Sequence, residues 1–134
     1  DPLRDRGVLI LASGNVVHNL GRIDWKRPDA AFDWAERFDD AVAVQLASDP
    51  GAIEAVTAHA DYELAVPTPD HFVPLLYLAG VAAAAGEPVE PLIRGYAMGS
   101  LSMSCYGVGT NAICKDAEGA ARLQTDVPAD QSNM

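Results

Sequence analysis

The chain has 134 residues, of which 49% are hydrophobic and 21% are charged, and its formal net charge is −10. This composition is typical of one globular domain and excludes a disordered chain. The acidic balance excludes a nucleic-acid backbone as partner, because no basic cluster is present to neutralise phosphates. A membrane span is also excluded, because no apolar run reaches the roughly 18 residues that it needs.

The two cysteines, Cys105 and Cys114, are too few for a disulfide framework and do not have the spacing of a metal site. We therefore expect reduced thiols. The N-terminal sequence DPLRDRG carries charges of both signs and does not have the pattern of a signal peptide. Together these features predict a cytoplasmic protein.

The first predicted element is a strand in the apolar run GVLILA, residues 7–12. A short run without polar positions is typical of a strand that is buried on both faces of a parallel sheet. Ser13, Gly14 and Asn15 break the run, and the sequence VVHNL then begins a helical turn. We therefore expect His18 at the carboxyl end of a strand, which is the edge where ligands bind in open α/β sheets.

Two helices are expected next. Pro28 and Asp29 open the first, with Asp29 as its cap, and the second begins with Asp49 as its cap and Pro50 in its first turn. Apolar residues recur at helical spacing in the first helix, and its charged residues are expected to face solvent. The expected core positions are Phe32, Ala35, Phe38, Val42 and Leu46, and the expected outward positions are Glu36, Arg37, Asp39 and Asp40.

A third helix is expected after the sequence VPTPD, with Asp70 as its cap and Gly86 as its end. Pro74 is tolerated only in the first turn of a helix, and this places His71 at the start of the element.

Strands are expected in the last part of the chain. The sequences VEPLIRGY and GSLSMSCYGVG predict two strands that are joined as a hairpin around residues 97–99. The residues that follow, up to the C-terminus, are polar and weakly periodic, and we expect them to form a loop or tail.

The three histidines of the chain have different surroundings. His59 lies on a helical pattern beside acidic residues and is expected to be an ordinary surface or boundary residue. His18 and His71 each follow a sequence that breaks regular structure, and each leads into a helix. Two interpretations of this pair are open: the imidazoles share a tertiary site, or each lies near a helix end and bonds a backbone carbonyl.

Four stretches of the sequence, GVLILASGNVVHNL, FDWAERFDDAV, PTPDHFVPLLYLAG and GSLSMSCYGVG, occur in that order. In these stretches the chain resembles the class III extradiol ring-cleaving dioxygenases, in the branch of the 4,5-DOPA dioxygenases. The resemblance concerns the C-terminal half of that family's catalytic domain. It implies an α/β fold, with a layered α/β/α arrangement and a mixed sheet, over residues 1–108, followed by a tail over residues 109–134.

The resemblance also implies a non-haem Fe(II) enzyme that cleaves the aromatic ring of a DOPA-like catechol with O2, and zinc also occurs in isolated members. At the matching positions, His71 is a metal ligand. His18 is the acid–base catalyst and, in some members, a ligand as well. Histidine suits this task because it is the side chain that titrates near neutrality without perturbation.

Three neighbouring residues have two interpretations each. Asn15 and Asn19 either orient His18 and hydrogen-bond the substrate, or stabilise the turn in which they lie. Asp70 either holds the second ring nitrogen of His71 or caps the helix that follows.

The family's other two metal-binding histidines lie in its N-terminal half, for which this chain has no motif. We therefore expect a fragment, a split protein or a half-domain that associates with the missing half, with a partner chain or with a second copy of itself. Two alternatives to catalysis are open. One is a zinc-binding non-catalytic half-domain that associates with a partner chain, and the other is an interaction half-domain without metal.

Overall fold

The computed structural model describes residues 2–110. Its α-helices are α1 (Asp33–Ser48), α2 (Tyr62–Ala65) and α3 (Val73–Ala85), and its 3-10 helices are Arg4–Arg6, Leu20–Arg22, Pro50–Ala58 and Pro69–His71. Its strands are β1 (Glu90–Ile93), β2 (Tyr96–Ala97), β3 (Leu101–Ser102) and β4 (Cys105–Gly107). This mixture of helices and strands confirms the α/β class. The predicted tail lies outside the described residues from position 111 onward.

Helix α1 begins after Phe32, later than the sequence pattern indicates, and the prediction that Asp29 caps it is wrong. Residues 28–32 instead bond the hairpin formed by β2 and β3, where the N–H of Phe32 donates to the carbonyl of Gly99 at 2.7 Å. Backbone groups engaged in this long-range pairing are not free to start the helix. The core side of α1 is otherwise as expected, and Phe32 is half-buried.

The second predicted helix is present as the 3-10 helix Pro50–Ala58. Asp49 stands directly before it, as expected, but its side chain makes no capping hydrogen bond. The element packs against both α1 and α3 and buries Ile53 and Val56.

Helix α3 follows a separate 3-10 turn, Pro69–His71, and so the prediction that Asp70 caps this helix is wrong. The residue at the N-terminal boundary of α3 is Phe72, whose side chain has no polar atom that could accept a capping hydrogen bond. Pro74 lies in the first turn and Gly86 ends the helix, both as expected. Gly86 adopts a left-handed φ of 67°, a conformation that favours glycine.

The predicted hairpin is confirmed, because β2 pairs antiparallel with β3. Its turn contains Met98 and Gly99, both with positive φ. Strand β1 pairs antiparallel with β4. Within the described residues the strands thus form two antiparallel two-stranded sheets, where the resemblance implies a single mixed sheet.

Residues 7–12 do not form a strand, and the prediction of a buried strand is therefore wrong for the described part of the chain. Leu9 and Leu11 are 80% and 84% exposed. A strand exists through backbone hydrogen bonds to its neighbours, and no described residue bonds the N–H or carbonyl groups of residues 9–14. The run thus has the sequence of a buried strand without neighbouring strands in residues 2–110.

The core lies between α1, the 3-10 helix Pro50–Ala58 and α3, and it includes the residues next to both candidate histidines. Val17 is fully buried beside His18, and Phe72 is 3% exposed beside His71. The ring of Phe72 lies 6.2 Å from that of Phe38, measured between centroids. Because Val17 and Phe72 belong to one core, the residues that precede or follow them are brought to the same edge of the molecule.

Candidate functional site

The turn that carries His18 is held on one side by strand β3. The N–H of Val17 donates to the hydroxyl of Ser102 at 3.0 Å, and the N–H of Ser102 donates to the carbonyl of Val17 at 3.0 Å. On the other side of His18, the hydroxyl of Ser100 donates to the carbonyl of Asn19 at 2.8 Å. Both serines are fully buried, so two enclosed hydroxyls fix the backbone before and after this histidine.

The same turn is tied to the segment that carries His71. The N–H of Asn15 donates to the carbonyl of His71 at 2.9 Å, and the N–H of His18 donates to the carbonyl of Ala65 at 2.9 Å. Gly14 makes this approach possible, because a Cβ at this position would lie 2.1 Å from the carbonyl oxygen of His71. Any larger residue would therefore push the two segments apart.

The imidazoles of His18 and His71 stack on each other, with centroids 3.6 Å apart and an angle of 17° between the planes. The structure therefore brings together the two histidines that the sequence singled out. The Nε2 atom of His71 lies 3.4 Å from a carboxylate oxygen of Asp70. Asp70 is thus placed beside His71, where it is able to orient the ring.

Burial lowers the pKa of His18 below its usual value of about 6.5, and a positive charge on His71 lowers it further. The carboxylate of Asp70 acts in the opposite direction with a smaller effect. His18 is therefore a neutral imidazole at pH 7, and a neutral imidazole is able to accept a proton or bind a metal ion.

Two imidazoles fit the donor type of Fe(II) or Zn(II), but they do not complete a site. The lone pair of an imidazole nitrogen lies in the ring plane. Two nearly parallel rings stacked at 3.6 Å therefore cannot both point at one ion about 2.0–2.1 Å away. One ring has to rotate before both can bind. Among residues 2–110, no three His, Cys, Asp or Glu side chains form a group that could hold a metal ion.

The two asparagines of the turn use their amide groups to hold its backbone. The Nδ2 of Asn15 donates to the carbonyl of Ser102 at 2.7 Å, and that of Asn19 donates to the carbonyl of Leu64 at 2.7 Å. These bonds agree with the interpretation that both asparagines stabilise the turn in which they lie. A direct role toward substrate stays a prediction.

A cavity of about 400 Å³ lies beside the site. Residues 11–16 form one wall, the first turns of α3 form the second, and Ser104 and Tyr106 lie among the other lining residues. His71 contributes to the lining. Most of the surface is apolar, as in cavities that accept a small molecule or an apolar segment of polypeptide.

Asp39 was expected to face solvent, and it is instead fully buried. One of its carboxylate oxygens accepts hydrogen bonds from Arg94 at 2.6 Å and from the hydroxyl of Ser104 at 2.9 Å. Helical spacing alone indicates that Asp39 is buried, because it lies four residues after Ala35 and three before Val42, and both of these residues are in the core. Sequence reasoning likewise missed Ser100 and Ser102, whose role depends on contacts distant in the chain.

The buried hydroxyl of Tyr106 and the second carboxylate oxygen of Asp39 have no hydrogen-bond partner among the described residues. Burial raises the pKa of Tyr106, and the charge of Asp39 raises it further. Tyr106 is therefore neutral at pH 7, where its hydroxyl is available as a donor.

Comparison with known proteins gives relatives over most of the chain. No protein-family model matches it. The 4,5-DOPA dioxygenase extradiol of Escherichia coli K12 is 39% identical over 111 residues, which are 80% of this chain and 41% of that protein. The protein of the same name from Beta vulgaris is 32% identical over 109 residues, which are 78% of this chain and 39% of that protein.

A solved structure also matches. The crystal structure of the uncharacterised protein JW3007 from Escherichia coli K12 has a TM-score of 0.67 and 38% sequence identity to this chain. The match covers 78% of this chain and 44% of that one. The chain thus spans about two fifths of the length of the curated relatives that it matches.

Among the described residues, no helix is long and apolar enough to cross a membrane.

Proposed function

Because the chain is homologous over about four fifths of its length to extradiol 4,5-DOPA dioxygenases, we propose that it forms part of a ring-cleaving site. The substrate is a catechol of the DOPA type, the co-substrate is O2, and the metal is Fe(II), with zinc as the ion that competes for the site. The observation that carries the proposal is the contact between the imidazoles of His18 and His71. These two residues belong to two separate stretches of the resemblance.

In this proposal His71 binds the metal and His18 accepts a proton from the catechol. His18 suits the role of base because its neutral form predominates at pH 7. The carboxylate of Asp70 lies 3.4 Å from His71 and orients that ring. Fe(II), when bound, supplies the electron-transfer chemistry that O2 requires.

The proposed site needs further ligands, because residues 2–110 hold no group of three candidate ligands. We assign the remaining ligands to the complementary half of the dioxygenase fold, on the same polypeptide or on a partner chain. A cytoplasmic location, where thiols stay reduced, is part of this proposal.

A second candidate function is a zinc-binding half-domain without catalysis. The contact between His18 and His71 also suits this function, because after rotation of one ring two imidazoles from this chain and two ligands from a partner would complete a closed tetrahedral zinc site. Such a site joins two chains and has no open position for substrate.

The test is a reconstitution without oxygen. The chain is co-expressed with the part of the E. coli 4,5-DOPA dioxygenase that has no counterpart here, and the purified material is loaded with Fe(II) and DOPA before O2 is admitted. Oxygen consumption and a yellow ring-opened product are expected. His71→Asn is expected to abolish both, and His18→Asn is expected to lower the rate while Fe(II) still binds.

His59→Asn is the matched control, because His59 accepts a hydrogen bond from the N–H of Asp61 and is not part of the stacked pair. Its rate is expected to equal that of the unmodified chain. No oxygen consumption with DOPA or with simpler catechols would contradict the enzymatic proposal. Stoichiometric zinc that resists exchange by Fe(II) would support the second candidate instead.

A further inference from the structure

The loop that follows the His18 turn presents an exposed tryptophan. Trp25 is 78% exposed, and Leu20 at the start of the loop is 60% exposed. A single exposed apolar residue is ordinary on a protein surface. Trp25 differs from that case because its backbone is fixed, and a large aromatic side chain on a fixed loop loses little conformational entropy when another surface covers it.

Hydrogen bonds fix this loop to the turn of the β2–β3 hairpin. The N–H of Asp24 donates to the carbonyl of Met98 at 2.9 Å. The carboxylate of Asp24 accepts the N–H of Lys26 at 3.0 Å and pairs with Arg27 at 3.4 Å. The residues on both sides of Trp25 are therefore bonded, and a defined turn presents the indole to solvent.

Two cations beside Trp25 are not neutralised. Within residues 2–110, the exposed side chains of Arg22 and Lys26 form no ion pair and no hydrogen bond. The cations that do pair with a carboxylate include Arg4, Arg37 and Arg94. We call Arg22, Trp25 and Lys26 the Trp25 surface. It combines an exposed aromatic ring with free positive charge, in a chain whose formal net charge is −10.

Two unpaired anions lie beside the same hairpin turn. The N–H of Phe32 donates to the carbonyl of Gly99 at 2.7 Å, and α1 begins at the next residue. Asp33 and Glu36 are three positions apart in the first turn of this helix, so they share one side of it. Both are exposed, and neither forms an ion pair or a hydrogen bond with the part of the chain that the structure describes. We call Asp33 and Glu36 the α1 acidic surface.

We propose that the Trp25 surface docks on the α1 acidic surface of a second copy of the chain, in a dimer with two-fold symmetry. In such a dimer each contact occurs twice, with the roles of the two copies exchanged. One molecule carries both surfaces beside one turn. The cations of each copy therefore meet the anions of the other, and both indoles are covered in the same contact.

The negative charge of the whole chain does not prevent this contact. At an ionic strength of about 0.15 M, charges more than about 8 Å apart are largely screened. Attraction between charges in contact is therefore weakened less than repulsion between charges far from the interface. The contact is small, because a tryptophan buries only about 150–250 Å². A weak dimer is expected, with a dissociation constant in the micromolar range.

The test measures the monomer–dimer equilibrium of the chain by sedimentation equilibrium, at loading concentrations from about 5 to 500 µM. The dissociation constant should rise about tenfold between about 0.05 and 0.5 M NaCl. Trp25→Ser should raise it about 30-fold or more. Tyr77→Ser is the matched control, because Tyr77 is 70% exposed on α3 and lies outside both surfaces. It should change the dissociation constant by no more than about twofold.

Charge reversal tests the pairing and the symmetry together. One variant carries Arg22→Glu with Lys26→Glu, and the other carries Asp33→Lys with Glu36→Lys. Each should be monomeric alone, because like charges then face each other in both contacts. When the two variants are mixed, each contact again joins opposite charges. The heterodimer should have a dissociation constant within about threefold of that of the unmodified dimer.

Far-UV circular dichroism of each variant alone should match that of the unmodified chain, because the replaced side chains are already in solvent. Lysine at the start of α1 opposes the helix dipole. Asp33→Asn with Glu36→Gln is therefore a second variant that removes the anions without adding cations. It should weaken the dimer about tenfold.

Four results would overturn the proposal. They are a monomer over the whole concentration range, a dimer that Trp25→Ser leaves unchanged, a dimer that Tyr77→Ser dissociates, and folded charge-reversal variants that stay monomeric when mixed. The third result would assign the contact to α3 instead. Neither a metal ion nor a catechol takes part in this contact, so the outcome is independent of that of the proposed function.

Discussion

Helices α1 and α3 occupy the same core and differ in how far the described chain covers them. Phe38, Val42 and Leu46 of α1 are fully buried, and most of its charged residues face solvent. Helix α3 is apolar throughout, yet it buries only Ala79 and Ala82. A helix that is apolar on all sides normally requires cover on all sides, and the described residues cover most of the apolar surface of α1 but not that of α3.

The largest expected effect contrasts the two regions directly. Phe38→Ala should lower the free energy of unfolding by about 3–5 kcal/mol, because it leaves a cavity in the closed core. Leu11→Ala should change it by less than about 0.5 kcal/mol in the isolated chain, because that side chain is 84% exposed. Urea unfolding followed by circular dichroism measures both values. Similar losses for the two variants would show that the apolar run is packed in solution.

A second prediction contrasts the buried and the exposed carboxylate that pair with the same guanidinium group. Arg94 bonds Asp39, which is fully buried, at 2.6 Å, and it bonds the exposed Asp40 at 2.7 Å. Asp39→Asn should cost about 2–4 kcal/mol, because the guanidinium loses its enclosed counter-charge. Asp40→Asn should cost under about 1 kcal/mol, because water screens that pair. Equal costs in urea unfolding would contradict the assignment of Asp39 as a structural anchor.

How much of the fold the sequence predicts depends on where the stabilising contacts lie. The buried side of α1 and the hairpin β2–β3 follow from local spacing and turn residues, and both are confirmed. The start of α1 is not predictable locally, because Gly99 engages the residues before it. The prediction of a buried strand over residues 7–12 is wrong, because a strand depends on backbone partners that are distant in the chain, and residues 9–14 have none among residues 2–110.

The candidate site shows the same division. The sequence singles out His18 and His71, but spacing alone leaves open whether they meet. Their contact depends on Gly14, on the shared core of Val17 and Phe72, and on backbone bonds that connect distant segments. The burial of Ser102 cannot be predicted from the sequence, because no local pattern distinguishes a buried serine from a serine on the surface.

Ser102 connects the closed core to the His18 turn, and its hydroxyl accepts the N–H of Val17. Ser102→Ala should lower the free energy of unfolding by about 1–3 kcal/mol, because it leaves that buried N–H without a partner. Ser48→Ala is the matched control: its exposed hydroxyl bonds a helix carbonyl, and its loss should cost under about 0.5 kcal/mol. If both variants unfold at the same urea concentration, the buried serine does not hold the turn.

The smallest expected effect is a pH dependence that originates at His18. Its pKa is lowered in the folded chain, so the unfolded chain binds more protons as the pH falls below about 6.5. Stability from this group is therefore complete above that pH and is lost progressively on acidification toward the folded pKa. Urea midpoints at pH 7.5 and 5.5 should differ more for the unmodified chain than for His18→Asn. An identical pH dependence in the two proteins would mean that His18 is as solvated as in the unfolded chain. The stacked contact with His71, on which the proposed site rests, would then not exist in solution.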